Sequence, residues 1–337
     1  MKKTTIKDIA VKLNVSASTI SRALSDHPDI SEELKLTIKE TARLMKYRPS
    51  AAALNLKHGT NKTIALILPE VTSFFYPSVI HGIEKVMHTQ GYTLLILTTD
   101  DNIEREIENI GIAYDNNVAG VLLSLSKETI NLDHLSDLDE SNIPVILIDK
   151  VIEGSVYSSI TIDDFRVSYQ MVQHLYKSGS RNIAGVFGKT SLTISHQRYK
   201  GFSQALKDLG LNHNESHVRF VNNSQEARDK TKKMLEETIP DGLYLMTDEI
   251  MLGAMPAIAD LEMQVPDKMN VIAISDGFLP HFMMPRVSHM KHDGFELGNL
   301  SAQKLIQYIN AKQNNLLWRN VENVVMNTNI VLLESTK

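Results

Sequence analysis

The sequence of 337 residues predicts a small all-α domain followed by a much larger α/β body. Two observations support this fold class. Within the first fifty residues, apolar residues recur at the three- and four-residue spacing of amphipathic helices. From residue 63 onward, short β-branched runs alternate with amphipathic helical stretches, which is typical of parallel sheets covered by helices on both faces.

The first helix of the chain has a recognisable start and end. Thr5 stands at an N-cap position, and Asp8 follows at the capping-box position three residues later. Asn14 and Val15 make a tight turn after the helix. The predicted inward face consists of Ile6, Ile9, Ala10 and Leu13.

A second helix, capped by Ser16, follows this turn directly. Its predicted inward residues are Ala17 or Ile20, together with Ala23 and Leu24. Its outward face is small, polar and cationic, with Ser18, Thr19, Ser21 and Arg22. Such a face fits the major groove of DNA, where hydroxyls reach phosphates or base edges and an arginine grips guanine through two hydrogen bonds. The alternative is a helical hairpin whose polar face is only solvated.

A third helix and a thin alanine-rich helix complete the N-terminal region. Ser31 is a cap followed by two carboxylates in the positive first turn, and the buried stripe is Leu34, Ile38, Ala42 and Met45. Pro49 then suits a helix start, from which Leu54 and Leu56 project. Three helices in under fifty residues favour a helix-turn-helix DNA-reading module over the solvated hairpin.

The runs TIKDIA, VSASTISRAL and YRPSAAALNL, at these spacings, resemble the LacI/GalR family of bacterial transcription regulators. The resemblance implies that the thin helix is a hinge that folds on operator DNA and pairs with its twin in the minor groove. Leu56, beside Ala53, would wedge between base pairs. The expected DNA-binding residues are Thr5, Ser16, Ala17, Ser18, Thr19, Ser21, Arg22, Ser31, Tyr47, Ser50, Ala53 and Leu56.

Charge is segregated along the chain. Residues 1–60 hold eleven Lys or Arg against six Asp or Glu, a net charge of +5, which leaves −10 for the rest because the whole chain carries −5. A basic head on an acidic body fits a protein whose head alone touches phosphates. The chain has no cysteine, which excludes disulfides, thiolate catalysis and cysteine-ligated zinc.

We expect a soluble protein of the cytoplasm with no membrane partner. The N-terminus, MKKTTIKDIA, has no apolar run behind its lysines, and no stretch approaches the ~20 apolar residues of a membrane span.

After a polar link at 58–62, the body begins with a predicted strand at 63–68 that Pro69 ends. The first set of predicted elements continues with helix 76–90, strand 93–97, helix 103–114, and strands 120–123 and 144–148. A second set begins near Ile160 and comprises helix 167–178, strand 182–187, helices 195–209 and 225–237, strand 242–246, helix 250–261 and strand 271–274.

This double set resembles the periplasmic-binding-protein-like effector domain of the same family, with two Rossmann-like subdomains and a cleft between them. The matching phrases are VILID, SITIDD, QRYKGF, LMTDEIMLGAM and AISDGF. The resemblance implies three crossings between lobes, near 159–161, 288–291 and 318–323. We expect a helix-turn-helix domain at 1–48, a hinge and linker at 49–60, and an effector-binding and dimerisation domain at 61–337. Its lobes would be roughly 61–160 plus 292–320, and 161–288 plus 322–337.

Ligands of open α/β sheets bind outside the carboxyl ends of the strands, so polar residues directly after apolar runs are candidates. Asp149, Asp163, Asp248 and Asp276 all qualify. For Asp163 and Asp248, each followed directly by a helix, the favoured alternative is a helix N-cap. The family resemblance assigns a carboxylate and guanidinium that face each other to Asp276 and Arg198. Such a pair holds neighbouring hydroxyls of a sugar.

Aromatic residues follow the first strand of the body, where their faces would stack on a ligand or cap the core. Phe75 and Tyr76 match ligand-stacking positions of the family, whereas Phe74 fits either role. Thr247 stands where sugar-responsive members often have Asn, and Ile194 and Asn222 also depart from the family pattern. The expected ligand-binding residues are Phe75, Tyr76, Asp149, Arg198, Thr247, Asp248 and Asp276.

Two apparent motifs are set aside. Gly188-Lys189-Thr190 lacks the preceding glycine of a phosphate-binding loop, and His289, His292 and Asp293 occupy an expected lobe crossing rather than one helical face. We expect no metal and no cofactor. Because the sequence also lacks GxSxG and HExxH, it favours a non-enzyme.

The sequence therefore predicts a repressor that binds palindromic double-stranded operator DNA and responds to a small carbohydrate effector. The absence of a leucine heptad after IVLLESTK favours a homodimer. One alternative is a solute-binding protein of the same body fold, which would need a signal peptide and no DNA-binding head. The other, an α/β enzyme, would need a catalytic signature. The sequence leaves open whether the effector releases DNA or promotes its binding.

Overall fold

The computed structural model describes residues 4–47, 61–72, 74–152, 154–189, 193–317 and 320–337. It divides into two compact units, Met1–Asn61 and Lys62–Lys337, which we call the head and the body. No helix among the described residues is long and apolar enough to cross a membrane.

Three helices form the described part of the head: α1 (Ile6–Leu13), α2 (Ala17–Leu24) and α3 (Glu32–Leu44). The predicted caps are confirmed, since Thr5, Ser16 and Ser31 each accept a hydrogen bond from a backbone amide of the following turn. Thr5 and Asp8 complete the capping box. Ile20, and not the exposed Ala17, is the inward residue of α2. The buried core consists of Ile9, Ala10, Ile20, Ala23, Ile38 and Ala42.

Two six-stranded sheets form the body. The first contains β1 (Thr63–Leu68), β2 (Thr93–Thr98), β3 (Gly120–Leu123), β4 (Val145–Ile148), β5 (Ser158–Ile162) and β11 (Asn323–Met326). The second contains β6 (Ile183–Phe187), β7 (Val218–Phe220), β8 (Gly242–Leu245), β9 (Asn270–Ser275), β10 (Ser288–Lys291) and β12 (Asn329–Val331). The strand orders are β11-β5-β4-β3-β1-β2 and β12-β10-β9-β8-β6-β7. All pairs are parallel except β10 with β12. Each sheet with its helices is one lobe.

Eight α-helices of the described body surround these sheets: α4 (Phe75–Gln90), α5 (Ile103–Asp115), α6 (Ser136–Glu140), α7 (Asp164–Lys177), α8 (Thr193–Asp208), α9 (Ser224–Glu237), α10 (Asp248–Asp260) and α11 (Gly294–Gln313). The first sheet is buried on both faces. Ile64 and Leu66 pack in the same cluster as Ile83 of α4, whereas Ala65 and Ile67 pack in a second cluster with helix α5. In the second lobe, α7 packs on α8 and α9 on α10.

Helix α11 was not among the predicted elements, and its first turns carry Gly294 and Gly298 where it crosses α4. These glycines permit a close crossing with α4. A Cβ atom on Gly298 would lie 2.1 Å from the carbonyl oxygen of Val79, and one on Gly82 would lie 2.1 Å from that of Phe295. Side chains at either glycine would separate the two helices.

The chain passes between the lobes after β5, after β10, and between β11 and β12. The third crossing corrects the sequence expectation. Residues 323–326 hydrogen-bond to β5 in the first sheet, so the crossing lies at 327–328 rather than at 318–323. The correction has a physical reason, since a short edge strand has too few apolar residues to indicate which sheet it joins.

Candidate functional site

The outward face of α2 is available to a partner. Ser16 Oγ lies 2.7 Å from Ser18 Oγ and 2.8 Å from Thr19 Oγ1, which makes a cluster of hydroxyls at the N-terminus of the helix. Arg22, at the other end, has a side chain that is 58 % exposed and lies 3.8 Å from Asp29. An exposed pair of this length is weak, so Arg22 is free to exchange its carboxylate partner for DNA.

The other predicted DNA contacts of the head divide into two groups. Thr5, Ala17 and Ser31 are exposed near helix N-termini, whereas Tyr47 is half-buried and packs against the core of the head. The predicted hinge contacts, Ser50, Ala53 and Leu56, lie outside the described residues.

A cleft of about 290 Å³ lies between the two lobes, beside the carboxyl ends of their strands. All seven predicted ligand-binding residues line it: Phe75, Tyr76, Asp149, Arg198, Thr247, Asp248 and Asp276. Asp163 does not line this cleft. It is the N-cap of α7 and accepts a hydrogen bond from the amide of Arg166 at 2.9 Å, as the alternative interpretation predicts.

Arg198 is buried in the cleft floor, where its guanidinium makes hydrogen bonds within its own lobe. Its Nε donates to Asp164 Oδ1 at 2.7 Å, and its Nη1 donates to the carbonyl oxygen of Met246 at 2.9 Å. The side chain is 4 % exposed. The pairing has a simple cause, because Asp164 begins α7, which packs directly on α8 that carries Arg198.

Asp276 makes a hydrogen bond across the cleft and so connects the two lobes. Its Oδ2 accepts a hydrogen bond from Ser78 Oγ of α4 at 2.7 Å, across the cleft, and its Oδ1 accepts one from the amide of Phe278 at 3.0 Å. Ser78 is therefore a site residue that sequence reasoning missed. The only available signal was its position within the first turn of the helix after β1.

Tyr76 lines the cleft and also makes hydrogen bonds through its hydroxyl. Its side chain is buried, and its hydroxyl donates to Asp149 Oδ2 at 3.0 Å and lies 3.1 Å from Ser124 Oγ. Asp149 directly follows β4 and is partly open to the cleft. The surrounding protein limits its hydration, which raises the pKa of its carboxyl to about 6.

Asp248 lies in the first turn of α10 but does not cap it. Thr247 is the N-cap and accepts from the amide of Ile250 at 3.2 Å, so the cap interpretation applies one residue earlier than expected. Asp248 Oδ2 accepts from the backbone amide of Asp276 at 3.4 Å. Its Oδ1 is buried and has no partner among the described residues. Burial raises the pKa of Asp248 to about 7.

His292 completes the cleft, and sequence reasoning missed this role. Its ring centroid lies 4.3 Å from that of Phe75, and its Nε2 is buried without a partner within the described part of the chain. Burial lowers the pKa of His292 to about 3, so the imidazole is neutral. Because His292 directly follows β10, the strand-end rule would have found it had β10 been predicted.

Known family models match both the head and the body. The model described as "Periplasmic binding proteins and sugar binding domain of LacI family" matches residues 61–316, and "Bacterial regulatory proteins, lacI family" matches residues 5–50. The chain belongs to the LacI family. It is therefore a DNA-binding transcription regulator with a periplasmic-binding-protein-like domain, and not an enzyme.

Relatives of this LacI-family chain cover nearly its whole length. Catabolite control protein A of Priestia megaterium is 26% identical over 309 residues, covering 91% of this chain and 92% of the relative. The HTH-type transcriptional regulator RegA of Clostridium acetobutylicum is 28% identical over 340 residues, covering 98% and 99%. The HTH-type transcriptional repressor PurR of Haemophilus influenzae is 27% identical over 315 residues, covering 91% and 92%.

Solved structures share the fold. A lac repressor dimer bound to operator and an anti-inducer has a TM-score of 0.86 at 19% identity, with 99% of each chain covered. A complex of the transcriptional regulator CelR with cellobiose has a TM-score of 0.71 at 20% identity, covering 99% of this chain and 100% of that one.

Proposed function

We propose that this regulator is a repressor that binds a palindromic operator as a homodimer and is controlled by a small molecule in the interlobe cleft. One observation supports this most strongly. The same chain presents an exposed reading helix and, in its body, a cleft in which buried polar groups from two lobes converge. A ligand that contacts both lobes changes the relative stability of the open and closed arrangements of those lobes.

In the head, the contacts divide by their chemistry. The hydroxyls of Ser16, Ser18 and Thr19 suit phosphate oxygens near the N-terminus of α2, which also attracts anions. Arg22 suits the two acceptors on a guanine edge. We further propose that residues 49–60 form a hinge between a DNA-binding domain at 1–48 and an effector domain from 61, with Leu56 as a minor-groove wedge.

The dimer follows from the geometry of DNA reading. Two copies place two reading helices in successive major grooves, so the operator has two-fold symmetry. The structurally similar lac repressor is a dimer on its operator. In this chain, the side chains of Phe278, Phe282 and Met284 form an exposed apolar group after β9, which suits burial against a second copy.

The Ser78–Asp276 hydrogen bond gives the cleft a route to control the lobes. It connects α4 of the first lobe to the end of β9 in the second. An effector that competes for Asp276, or that reinforces this bond, shifts the population between lobe arrangements and thereby the operator affinity. CelR, which shares the fold, binds cellobiose, and we propose a carbohydrate effector here. We also infer that the protein acts in the cytoplasm, where operator DNA is found.

The test of DNA binding begins with selection of duplexes from a random library by the full-length protein. Fluorescence anisotropy then compares the enriched sequence with a scrambled duplex of the same composition. We expect an enriched two-fold symmetric site and much tighter binding to it. Recovery of unrelated sequences, with equal affinity for the scrambled duplex, would contradict the proposal and favour the solute-binding alternative.

A further inference from the structure

Three carboxylates of the cleft have no cationic partner among the described residues. Asp149 accepts from the Tyr76 hydroxyl, Asp276 accepts from Ser78 and a backbone amide, and Asp248 accepts from a backbone amide. All of these donors are neutral. Neutral donors stabilise a carboxylate less than an ion pair does.

The carboxylates that line the cleft outnumber its cations. Six acidic and four basic residues line it. Arg198 is paired with Asp164 just behind the lining, and Lys150 lies 3.1 Å from Asp101. Two further lysines, Lys127 and Lys189, are offset in number by Glu70 and Glu249. His292 is neutral and adds no positive charge. The lining and Asp164 together therefore hold three more acidic than basic side chains, although the charge of Arg198 also acts on Asp149 and Asp248, and that of Lys150 acts on Asp149.

Two buried atoms of the cleft point to a missing ligand group. Asp248, which is 9 % exposed, has an unpartnered Oδ1, and His292, which is 5 % exposed, has an unpartnered Nε2, both within the described residues. A buried polar atom without a hydrogen-bond partner destabilises the protein. A ligand that supplies the missing hydrogen bond at either atom would therefore gain binding free energy. The carboxylate oxygen accepts a donor, and the neutral imidazole nitrogen donates or accepts according to its tautomer.

Like charges also meet across the cleft. Glu70 follows β1 in the first lobe, and Glu249 lies in the first turn of α10 in the second. Partial loss of solvent and the neighbouring charge of Glu70 raise the pKa of Glu249. Electrostatic repulsion between these two carboxylates opposes closure of the cleft. A positive charge bound between the lobes would reduce this repulsion.

The remaining lining is apolar and suits an organic molecule. Phe75, Ile194, Val221 and Ile250 contribute to the walls. Apolar walls with a few convergent polar groups are typical of sites for small organic ligands.

We infer that the effector is a hydroxylated small molecule carrying a protonated amine, of which an amino sugar is the simplest form. The ammonium group binds at Asp248 and Asp276, which are neighbours in the cleft, and a hydroxyl of the ligand hydrogen-bonds to His292. This inference deepens the proposed effector function and rests on it. It narrows the expected sugar or sugar derivative to one that carries a positive charge.

Matched ligands test the positive charge directly. Isothermal titration calorimetry on the full-length protein at pH 7.5 compares glucosamine, galactosamine and mannosamine, each with its parent sugar and its N-acetyl derivative. The derivatives keep the ring and remove the charge. We expect at least one amine to bind ten-fold or more tighter than both of its neutral counterparts. Magnesium chloride alone is titrated as well, and the inference requires that it bind more weakly than the amine.

Two variants test which aspartates bind the ammonium group. Asp276→Asn and Asp248→Asn each remove one negative charge and are expected to reduce the amine-to-parent affinity ratio at least ten-fold. The matched control is Asp137→Asn, at an exposed position on α6, which should keep the wild-type ratio. Circular dichroism melts show whether each variant is folded at the titration temperature.

The outcomes separate this inference from the proposed function. Neutral sugars that bind as tightly as the amines, magnesium that binds better, or no binding by any of the three amines would each overturn it. So would an amine preference that survives both aspartate variants. The operator selection uses no effector, so its result decides DNA binding independently.

Discussion

The exposed face of α2 and the floor of the cleft use polar residues in opposite ways. Ser18 and Arg22 are exposed, so water can hydrogen-bond to them when no DNA is bound. Arg198 and Asp248 are buried, so their polar groups need hydrogen-bond partners from the protein or from a ligand. The difference teaches where function and stability are coupled. Substitutions on the reading face should change DNA affinity alone, and substitutions in the cleft floor should change both ligand response and folding.

The largest effect is expected at Arg198. Arg198→Ala removes the partner of Asp164 and leaves a carboxylate enclosed by protein, which should lower the free energy of unfolding of the body by about 3–5 kcal/mol. Urea denaturation followed by circular dichroism measures it. Arg228→Ala breaks an exposed ion pair with Asp260 and is the control that should leave the transition in place. Equal effects of the two substitutions would remove the contrast between buried and exposed charge.

Asp248 should make the ligand-free protein less stable as the pH rises. Its folded pKa of about 7 is above the ordinary value of 3.8, so the folded state holds this proton more tightly than the unfolded state. The contribution to stability is present at low pH and is lost as the pH rises from about 4 through about 7. Asp248→Asn, which cannot ionise, should therefore be more stable than wild type at pH 8, by about 1–3 kcal/mol, and gain less at pH 5.

Chemical denaturation at both pH values checks this prediction, with Asp137→Asn as the control. A variant that is less stable than wild type at pH 8 would contradict the prediction. It would show that the present contacts of the ionised Asp248 stabilise the ligand-free protein.

On the reading face, Arg22→Ala should cost about 1–3 kcal/mol of binding to the selected operator through loss of a base-edge contact. Binding to a scrambled duplex should change far less, and the melting temperature should not change. Anisotropy titrations with both duplexes give the ratio. An unchanged ratio would mean that Arg22 does not read sequence.

The smallest effect is expected at the cap of α2. Ser16→Ala removes the acceptor for the amide of Thr19 and should destabilise the head by about 1 kcal/mol. Amide hydrogen exchange of α2 measures local opening. Arg22→Ala, at an exposed position near the other end of α2, removes no cap; it is the control and should leave the exchange of the first turn of α2 unchanged.

The head was predictable because its signals are local. Each cap and its amide lie within three residues, and the apolar stripe of each short helix is contiguous in sequence. In the body, the strand-end rule placed Asp149, Asp248 and Asp276 in one cleft, because parallel strands direct their carboxyl ends to the same edge.

Side-chain pairings in and around the cleft were not predictable. Asp164 adjoins the capping Asp163 in sequence, and only the packing of α7 on α8 shows that Asp164 faces Arg198. Ser78 and Asp276 are 198 residues apart, and their contact depends on how the lobes meet. His292 was assigned to a crossing because β10, with the sequence SHMK, has a weak strand signal. Side-chain partners therefore require the tertiary structure even where the site is found from sequence.

The coupling of the cleft to DNA is tested most directly by one titration. Operator affinity of wild type and Asp276→Asn is measured by anisotropy, with and without the amino sugar that binds tightest to wild type. We predict that the amino sugar changes the operator affinity of wild type at least ten-fold and leaves that of the variant unchanged. An amino sugar that binds wild type but leaves its operator affinity unchanged, or that shifts both proteins equally, would contradict control through this cleft.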